Sequence, residues 1–366
     1  MLKALGLTNF RNIKKKEIIF SPQITVIVGP NASGKTNILE AIYLISSGKS
    51  FRARMEEEMI RYEADMARVR AEIRVENQQS SEDVQDANLE VILTRGEIAI
   101  GDSKIEKTPR KKLLVNGVPR RLIDFAGQAT MVLFGPQDLD LVTQTPNLRR
   151  RFLDMVLSQV DGEYRRAALS YEKGIRQRNR LLFRIREEGL SRSQLLFWDR
   201  LLIKNGDLIS TKREEFIDFA NSTGGLNEQI FKLEYDKSAI SEGRLEQYAA
   251  EEVAAATTLV GPHRDDFTFK VKSKKQKVKE KDLATYGSRG EARMGVLWLK
   301  LAELSFVEKL TGEPPTLLLD DIFSELDHEH RGVVMKAVER RQSIITTADP
   351  HYVEDIKKVE KITLTG

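Results

Sequence analysis

Apolar residues along the chain change their spacing twice, and each change marks a different kind of element. Leu2–Leu7 and Glu17–Phe20 are short strand candidates, and Ile24–Val28 is a continuous β-branched run of the kind buried in a parallel sheet. That run stops at Gly29-Pro30, and apolar residues then recur at helical spacing from Thr36 to Ile45. Ala67–Glu76 alternates apolar and charged residues, as a half-buried strand does. Leu89–Leu93 resembles it, and the polar, acidic Gln78–Asn88 reads as the loop between the two. Thr130–Phe134 predicts one more buried strand.

Near Asn147 the pattern turns helical. From Leu148 to about Ala220 there is no proline, and Arg, Leu, Glu and Gln, all good helix formers, dominate. Leu195, Leu202, Ile209 and Phe216 recur every seven residues, with Trp198 and Phe219 at an offset of three; Asn205 and Lys212 interrupt that second row. The stripe predicts a helix pair with a partly ideal coiled-coil-like seam, and Gly189 with Ser191 marks the turn of an αα-hairpin. A helix of about 35 residues would reach on the order of 50 Å.

After Glu251 strands and helices alternate again. Val271–Lys281 is lysine-dense and reads as an exposed hairpin or loop, Ala292–Leu310 as an apolar helix, and Thr316–Leu319 and Ser343–Thr347 as buried strands. The expected organisation is therefore α/β: a sheet domain built from residues 1–146 and 251–366, interrupted by a helical arm at 147–250.

Composition narrows the chemistry. The 366 residues carry 59 Lys and Arg against 55 Asp and Glu, a net charge of only +4, so an anionic partner must be met by a local patch. Candidate patches for DNA are Arg149-Arg150-Arg151, the arm residues Arg176, Arg178, Arg180, Arg184 and Arg186, and the lysines of 272–281. A solvated face is the plainer reading of each. The absence of cysteine excludes a disulfide-stapled fold, Cys-ligated zinc and thiol catalysis. His263, His328, His330 and His351 form no HExxH pattern, and the His328–His330 pair reads as solvated rather than metal-bound. No run of 18 apolar residues occurs and the N-terminus lacks a signal-like apolar core, which predicts a cytoplasmic protein.

Three motifs carry chemistry. Gly29, Pro30, Asn31, Ala32, Ser33, Gly34, Lys35 and Thr36 spell GxxxxGK[ST] between a buried strand and a helix. Glycines there let backbone N–H groups curl around a phosphate, Lys35 reaches β/γ oxygens, and Thr36 can ligate Mg²⁺. Thr316–Leu319 followed by Asp320 and Asp321 describes a buried strand whose tip emerges at the carboxyl edge of the sheet, where ligands bind. Asp320 is placed to hold Mg²⁺ and Asp321 to polarise water, with an N-cap as the alternative role for one of them. Ser288-Arg289-Gly290-Glu291 precedes the apolar helix as a capping box, and a Ser/Gly helix N-terminus is also an anion site.

As a set these segments resemble the ABC-type ATPase heads of the SMC-like DNA-repair proteins, and within them the RecF family. The resemblance rests on GPNASGKTNILEAIYL, SRGEAR, LLLDDIFSELD and the Thr346-Thr347 pair. LTNFRN, SFRAR, LFGPQDLDLV, RRRFLD and GPHRDD add to it, in family order over nearly the whole chain. It implies an ABC-type P-loop head with a mixed sheet, an all-helical arm, and the cofactors ATP and Mg²⁺. It also implies that Asn37 belongs to the nucleotide site and that Gln137 is a Q-loop residue sensing the metal. Ser288, Gly290 and Glu291 become the signature facing the γ-phosphate held by a second subunit, and Asp327 the D-loop. Arg289 departs from the usual S-Q-G-Q text, and ABC heads often carry Glu where Asp321 stands and His where Thr347 stands. Slow hydrolysis is therefore expected.

The function implied is ATP-driven homodimerisation on DNA, single- or double-stranded, at gaps and duplex junctions, with RecO and RecR as partners and a weak, DNA-stimulated ATPase in DNA repair, replication and the SOS response. A transporter head would place its signature about a hundred residues after the P-loop, and a full SMC protein needs coils of hundreds of residues. A non-hydrolysing scaffold is the remaining alternative, and Lys35, Thr36 and Asp320 speak against it. No N-K-x-D motif points to GTP.

Overall fold

The computed structural model describes residues 1–76, 84–100, 104–273, 280–354, 356 and 359–365. They fall into two compact units, Met1–Asp138 with Val307–Gly366, and Leu139–Phe306.

In the first unit, Ile24–Val28, Thr316–Asp320 and Ser343–Thr347 are buried at every position. Continuous burial is what a strand with neighbours on both sides and both faces covered requires. They form the middle of a five-stranded parallel sheet, ordered Met131–Phe134, Thr316–Asp320, Ser343–Thr347, Ile24–Val28, Val359–Thr363. The last strand, at one edge, has no clear apolar signal, and none of its residues is fully buried. A six-stranded antiparallel sheet, ordered Ile13–Ile19, Leu2–Phe10, Met66–Glu76, Val84–Thr94, Lys111–Val115, Val118–Arg120, completes the unit with a hairpin of Glu97–Ile100 and Lys104–Lys107.

The strand expected at Leu89–Leu93 thus starts five residues earlier, inside the segment read as loop; residues 78–83 of that loop lie outside the described residues. Asp86 and Asn88 are exposed opposite Arg74 and Glu72, so polar residues extend the strand on its solvent face without cost to the core. Gln342 joins the two sheets. Its buried amide accepts from Leu2 N–H (2.8 Å) and donates to Leu2 and Ser21 carbonyls (2.6 and 3.0 Å), pairing groups that would otherwise be buried and unsatisfied.

The second unit holds the arm. Helices Gly162–Glu188 and Leu196–Ser222 form the expected helix pair, and Pro146–Val160 precedes them as a separate helix. Asp161 caps Gly162–Glu188, accepting from Glu163 and Tyr164 N–H, and Gly189 ends it in a left-handed turn. The hairpin helices are 27 residues each, so they reach about 40 Å rather than 50 Å. Leu195, Leu202, Ile209 and Phe216 are all buried, as the seven-residue stripe requires. The 147–250 stretch is not helical throughout. Gln229–Asp236 is a strand, paired antiparallel with Asp266–Ser273 through Phe231 and Leu233, whose two-residue alternation is too short to stand out in sequence. Asp266–Ser273 also pairs with Lys281–Asp282, so the expected lysine-rich hairpin exists at its base; residues 274–279 lie outside the described residues.

Burial corrects the DNA candidates. Arg149 is buried and forks onto Asp266 at 2.6 and 2.9 Å. Arg178, only 2% exposed, pairs with Asp199 and Glu252 at 2.7 Å each. Both hold the unit together and cannot meet DNA. Arg176 and Arg184 are exposed but paired along their own helix with Glu172 and Glu188, while Arg180 is exposed. Among the described residues no helix is long and apolar enough to cross a membrane.

Candidate nucleotide-binding site

Sheet register assembles the site. Thr346 pairs with Asp320 on one side and Ile27 on the other, so three parallel strands end together beside Gly29, whose N–H reaches the Thr347 carbonyl at 3.4 Å. A Cβ on Gly29 would stand 2.7 Å from Ser33 Oγ and 2.9 Å from the Leu364 carbonyl oxygen, so no side chain fits there. Gly34 turns the chain into the helix at φ +97°, a left-handed conformation that favours glycine. Asn31 and Ala32 form the exposed crest of the loop, with Ala32 also left-handed (φ +64°).

The helix that follows, Lys35–Ser47, starts without a side-chain cap and without an acidic residue in its first turn. Its free N–H groups and partial positive charge therefore favour an anion. Ser33 Oγ is buried there with no partner, a hydroxyl that a phosphate oxygen would satisfy. Lys35 is 7% exposed and lies back over the loop, its ammonium donating to the Gly29 and Pro30 carbonyls at 2.8 and 3.0 Å. These residues fit a polyphosphate.

Asp320 is 5% exposed at the tip of its strand. Its Oδ1 accepts from Thr36 Oγ1 and from Thr346 Oγ1, each at 2.9 Å. Burial raises its pKa above the ordinary carboxylate range, and neighbouring Asp321 adds to this; the two hydroxyls and the charge of Arg52 oppose it. Threonine oxygen and carboxylate on one point is a hard-oxygen donor set, which suits Mg²⁺. Asp321 is half-buried with a left-handed backbone (φ +50°), and its Oδ1 accepts from Ala348 N–H at 3.4 Å. Gln137 is exposed, and a Cβ on Gly135 would stand 3.0 Å from Gln137 Nε2 and 3.3 Å from Cβ of Asp320, so both flank the same glycine. The hydroxyl of Thr347 donates to the Asp349 carbonyl at 3.0 Å.

Five further residues, Arg11, Asn12, Glu40, Ser50 and Arg52, gather around the loop and its helix, and the sequence assigned them no role. Asn12 donates to the Ala32 carbonyl at 3.3 Å and accepts from Asn37 Nδ2 at 2.7 Å. Glu40, fully buried on the P-loop helix, accepts from Arg11, Arg52 and Ser50. Burial pushes the Glu40 pKa up, but hydrogen bonds from Arg11, Arg52 and Ser50 outweigh it and hold the carboxyl below its ordinary value. A signal existed: an acidic residue at the centre of an otherwise apolar helical stretch, Ile38 to Ile45.

Ser288, Gly290 and Glu291 belong to the second unit, at the start of helix Arg289–Thr311. They form the expected capping box: Ser288 Oγ accepts from Glu291 N–H (3.2 Å) and Glu291 Oε2 from Ser288 N–H (2.8 Å). Lys281 also holds Glu291, at 2.9 Å. The Glu291 carboxylate is therefore engaged within its own unit, while Ser288, Arg289 and Gly290 are exposed. Asp327 is the N-cap of helix His328–Val338, accepting from His330 N–H at 3.0 Å.

Residues 1–366 match the family model of the RecF/RecN/SMC N terminal domain. The chain is 34% identical to the DNA replication and repair protein RecF of Herpetosiphon aurantiacus, over 97% of this chain and 96% of that one. It is 35% identical to RecF of Halalkalibacterium halodurans, over 95% and 92%. Among solved structures it is similar to the recombination mediator RecF bound to ATP in the RecFOR pathway, with TM-score 0.82, 30% identity and coverage of 97% and 93%. An SMC head domain from Pyrococcus furiosus shares the fold at TM-score 0.51 and 16% identity, over 99% and 93%.

Proposed function

Because the chain belongs to the RecF family of SMC-type ATPase heads, we propose that it is an ATP-dependent DNA-binding protein of replication and recombinational repair. The observation that carries this reading is the meeting of the P-loop with the strand tip, where Thr36 donates to Asp320 at 2.9 Å. In this reading the loop amides, Ser33 and Lys35 hold the phosphates, and Thr36, Asp320 and Gln137 hold Mg²⁺. An ion held by these residues would supply neutralisation of phosphate charge. Asp321 orients the attacking water, and turnover is slow because aspartate and threonine stand at positions 321 and 347.

Two copies share two ATP molecules across a two-fold axis, Ser288 and Gly290 of one completing the site of the other. Closure brings both sets of basic residues onto DNA at gaps and junctions, with RecR and RecO as partners. Sedimentation with ATP, ADP or no nucleotide, with and without duplex DNA, tests this. A dimer that forms with ATP, carries DNA and is lost in Ser288→Arg while ATP still binds is the expected result. Failure of the wild-type chain to bind ATP, or full DNA affinity without nucleotide, overturns the proposal.

A further inference from the structure

The buried carboxylate of Glu40 has no place in the nucleotide chemistry, yet it is the best-partnered charge around the P-loop. It accepts from Arg11 Nη2 and Ser50 Oγ at 2.6 Å each, from Arg11 Nε at 2.8 Å, and from Arg52 Nε and Nη2 at 2.9 and 2.8 Å. From there the contacts run outward. Arg52 donates to Asn37 Oδ1, Asn37 Nδ2 donates to Asn12 Oδ1 at 2.7 Å, and Asn12 Nδ2 donates to the Ala32 carbonyl at 3.3 Å. Asn12 follows Arg11 in the chain, so the path closes into a ring that starts and ends on Glu40.

Two features show that the ring works on the loop rather than merely filling space. Its far end grips Ala32, one of the left-handed residues at the loop crest, and Asn12 Oδ1 stands 2.9 Å from where a Cβ of Gly34 would be. Arg11 itself is left-handed (φ +54°), an unfavourable state for arginine. It is held there by its N–H on the Met59 carbonyl (2.8 Å), by Nη1 on the Glu58 carbonyl (2.5 Å) and by Glu40. Strain that the surroundings over-determine gathers at functional sites.

We infer that Glu40 is a positioning residue for the nucleotide site: through Arg52, Asn37 and Asn12 it fixes the crest of the P-loop in its phosphate-binding shape before nucleotide arrives. The inference rests on the P-loop reading above. A loop held in its bound shape spares the ordering that binding would otherwise require. Glu40→Gln keeps the side-chain shape but replaces a double acceptor for two guanidiniums by an amide that offers one acceptor and one donor. The guanidiniums then lose their shared anchor and the crest loses its register.

The test is ATP and ADP affinity, by fluorescent-analogue titration, of the wild-type chain, Glu40→Gln, Asn12→Ala, the double variant and Lys35→Ala. Asn12 is exposed, so its variant folds even if Glu40→Gln is destabilised, and thermal melting of all variants is recorded alongside. Both single variants are expected to weaken nucleotide about tenfold. The double variant should fall by about the same factor rather than the hundredfold of independent effects, because the two residues act through one path. Unchanged affinity in Glu40→Gln or Asn12→Ala, or effects that multiply in the double variant, would overturn the inference. Failure of the wild-type chain to bind, or full binding by Lys35→Ala, instead overturns the nucleotide reading itself.

Discussion

Replacing Thr346 by valine removes one hydroxyl from the wall of the site at nearly constant volume. That hydroxyl donates to Asp320 Oδ1 at 2.9 Å and receives the Asp321 N–H at 3.2 Å, and Thr346 is fully buried. A hydrogen bond to a charged group contributes about 1.5–3 kcal/mol. One pKa unit corresponds to about 1.4 kcal/mol, so losing the bond disfavours ionised Asp320 by roughly one to two units. The direction follows from the carboxylate: its pKa is already raised by burial and by Asp321, and losing a donor raises it further. The ionised form, which a cation needs, is then reached only at higher pH.

The assay is Mg²⁺-dependent ATP binding measured between pH 5 and pH 9. The acid limb of the Thr346→Val profile should move upward by about one to two pH units, with the plateau preserved. Thr347→Val is the control, because its hydroxyl donates to the Asp349 carbonyl rather than to Asp320. An unmoved acid limb in Thr346→Val, or an equal shift in the control, refutes the reasoning.

Four other outcomes are expected. Asp321→Asn should cut turnover about a hundredfold or more while ATP binding survives and the ATP-bound dimer lives longer, whereas Asp320→Ala should abolish Mg²⁺-dependent binding; single-turnover kinetics with nucleotide titration separate the two. Arg178→Ala should cost about 3–5 kcal/mol in denaturant unfolding, because Glu252 stays buried and unpaired. Arg180→Ala should stay within about 0.5 kcal/mol and, if Arg180 meets a phosphate, lower the slope of log K against log salt for DNA by about 0.9. Burial holds the pKa of His263 down to about 4, against an ordinary 6.5, so the folded chain keeps it neutral while the unfolded chain takes up a proton. Stability is therefore lost as pH falls from about 6.5 towards 4, by up to roughly 3 kcal/mol. A His263→Gln variant should show a flatter loss between pH 6 and 5 in thermal melts.

The part of the nucleotide site that the sequence determined by itself is the part built from consecutive residues. Gly29 to Thr36 forms one turn between a strand and a helix, so local spacing already places glycine, lysine and threonine on one phosphate-sized curve. Ile24–Val28 and Thr316–Asp320 were legible for a related reason: strands buried on both faces are dominated by aliphatic and β-branched side chains until they emerge. The seven-residue stripe of the arm likewise reflects a local period. Tertiary structure decided what depends on residues far apart in the chain. Thr346 lies 26 positions from Asp320, and the parallel register alone puts its hydroxyl on that carboxylate. Arg11, Glu40 and Arg52 meet only because a hairpin turn and a loop converge on one helix; Glu40 stands out within its apolar stretch, but nothing local to Arg11 or Arg52 marks either as its partner. Arg149 and Arg178 show the reverse, since a basic run looks the same in sequence whether it faces water or Asp266, Asp199 and Glu252. Composition records which charges a chain carries, while the fold alone sets the desolvation and the partner that give each one its role.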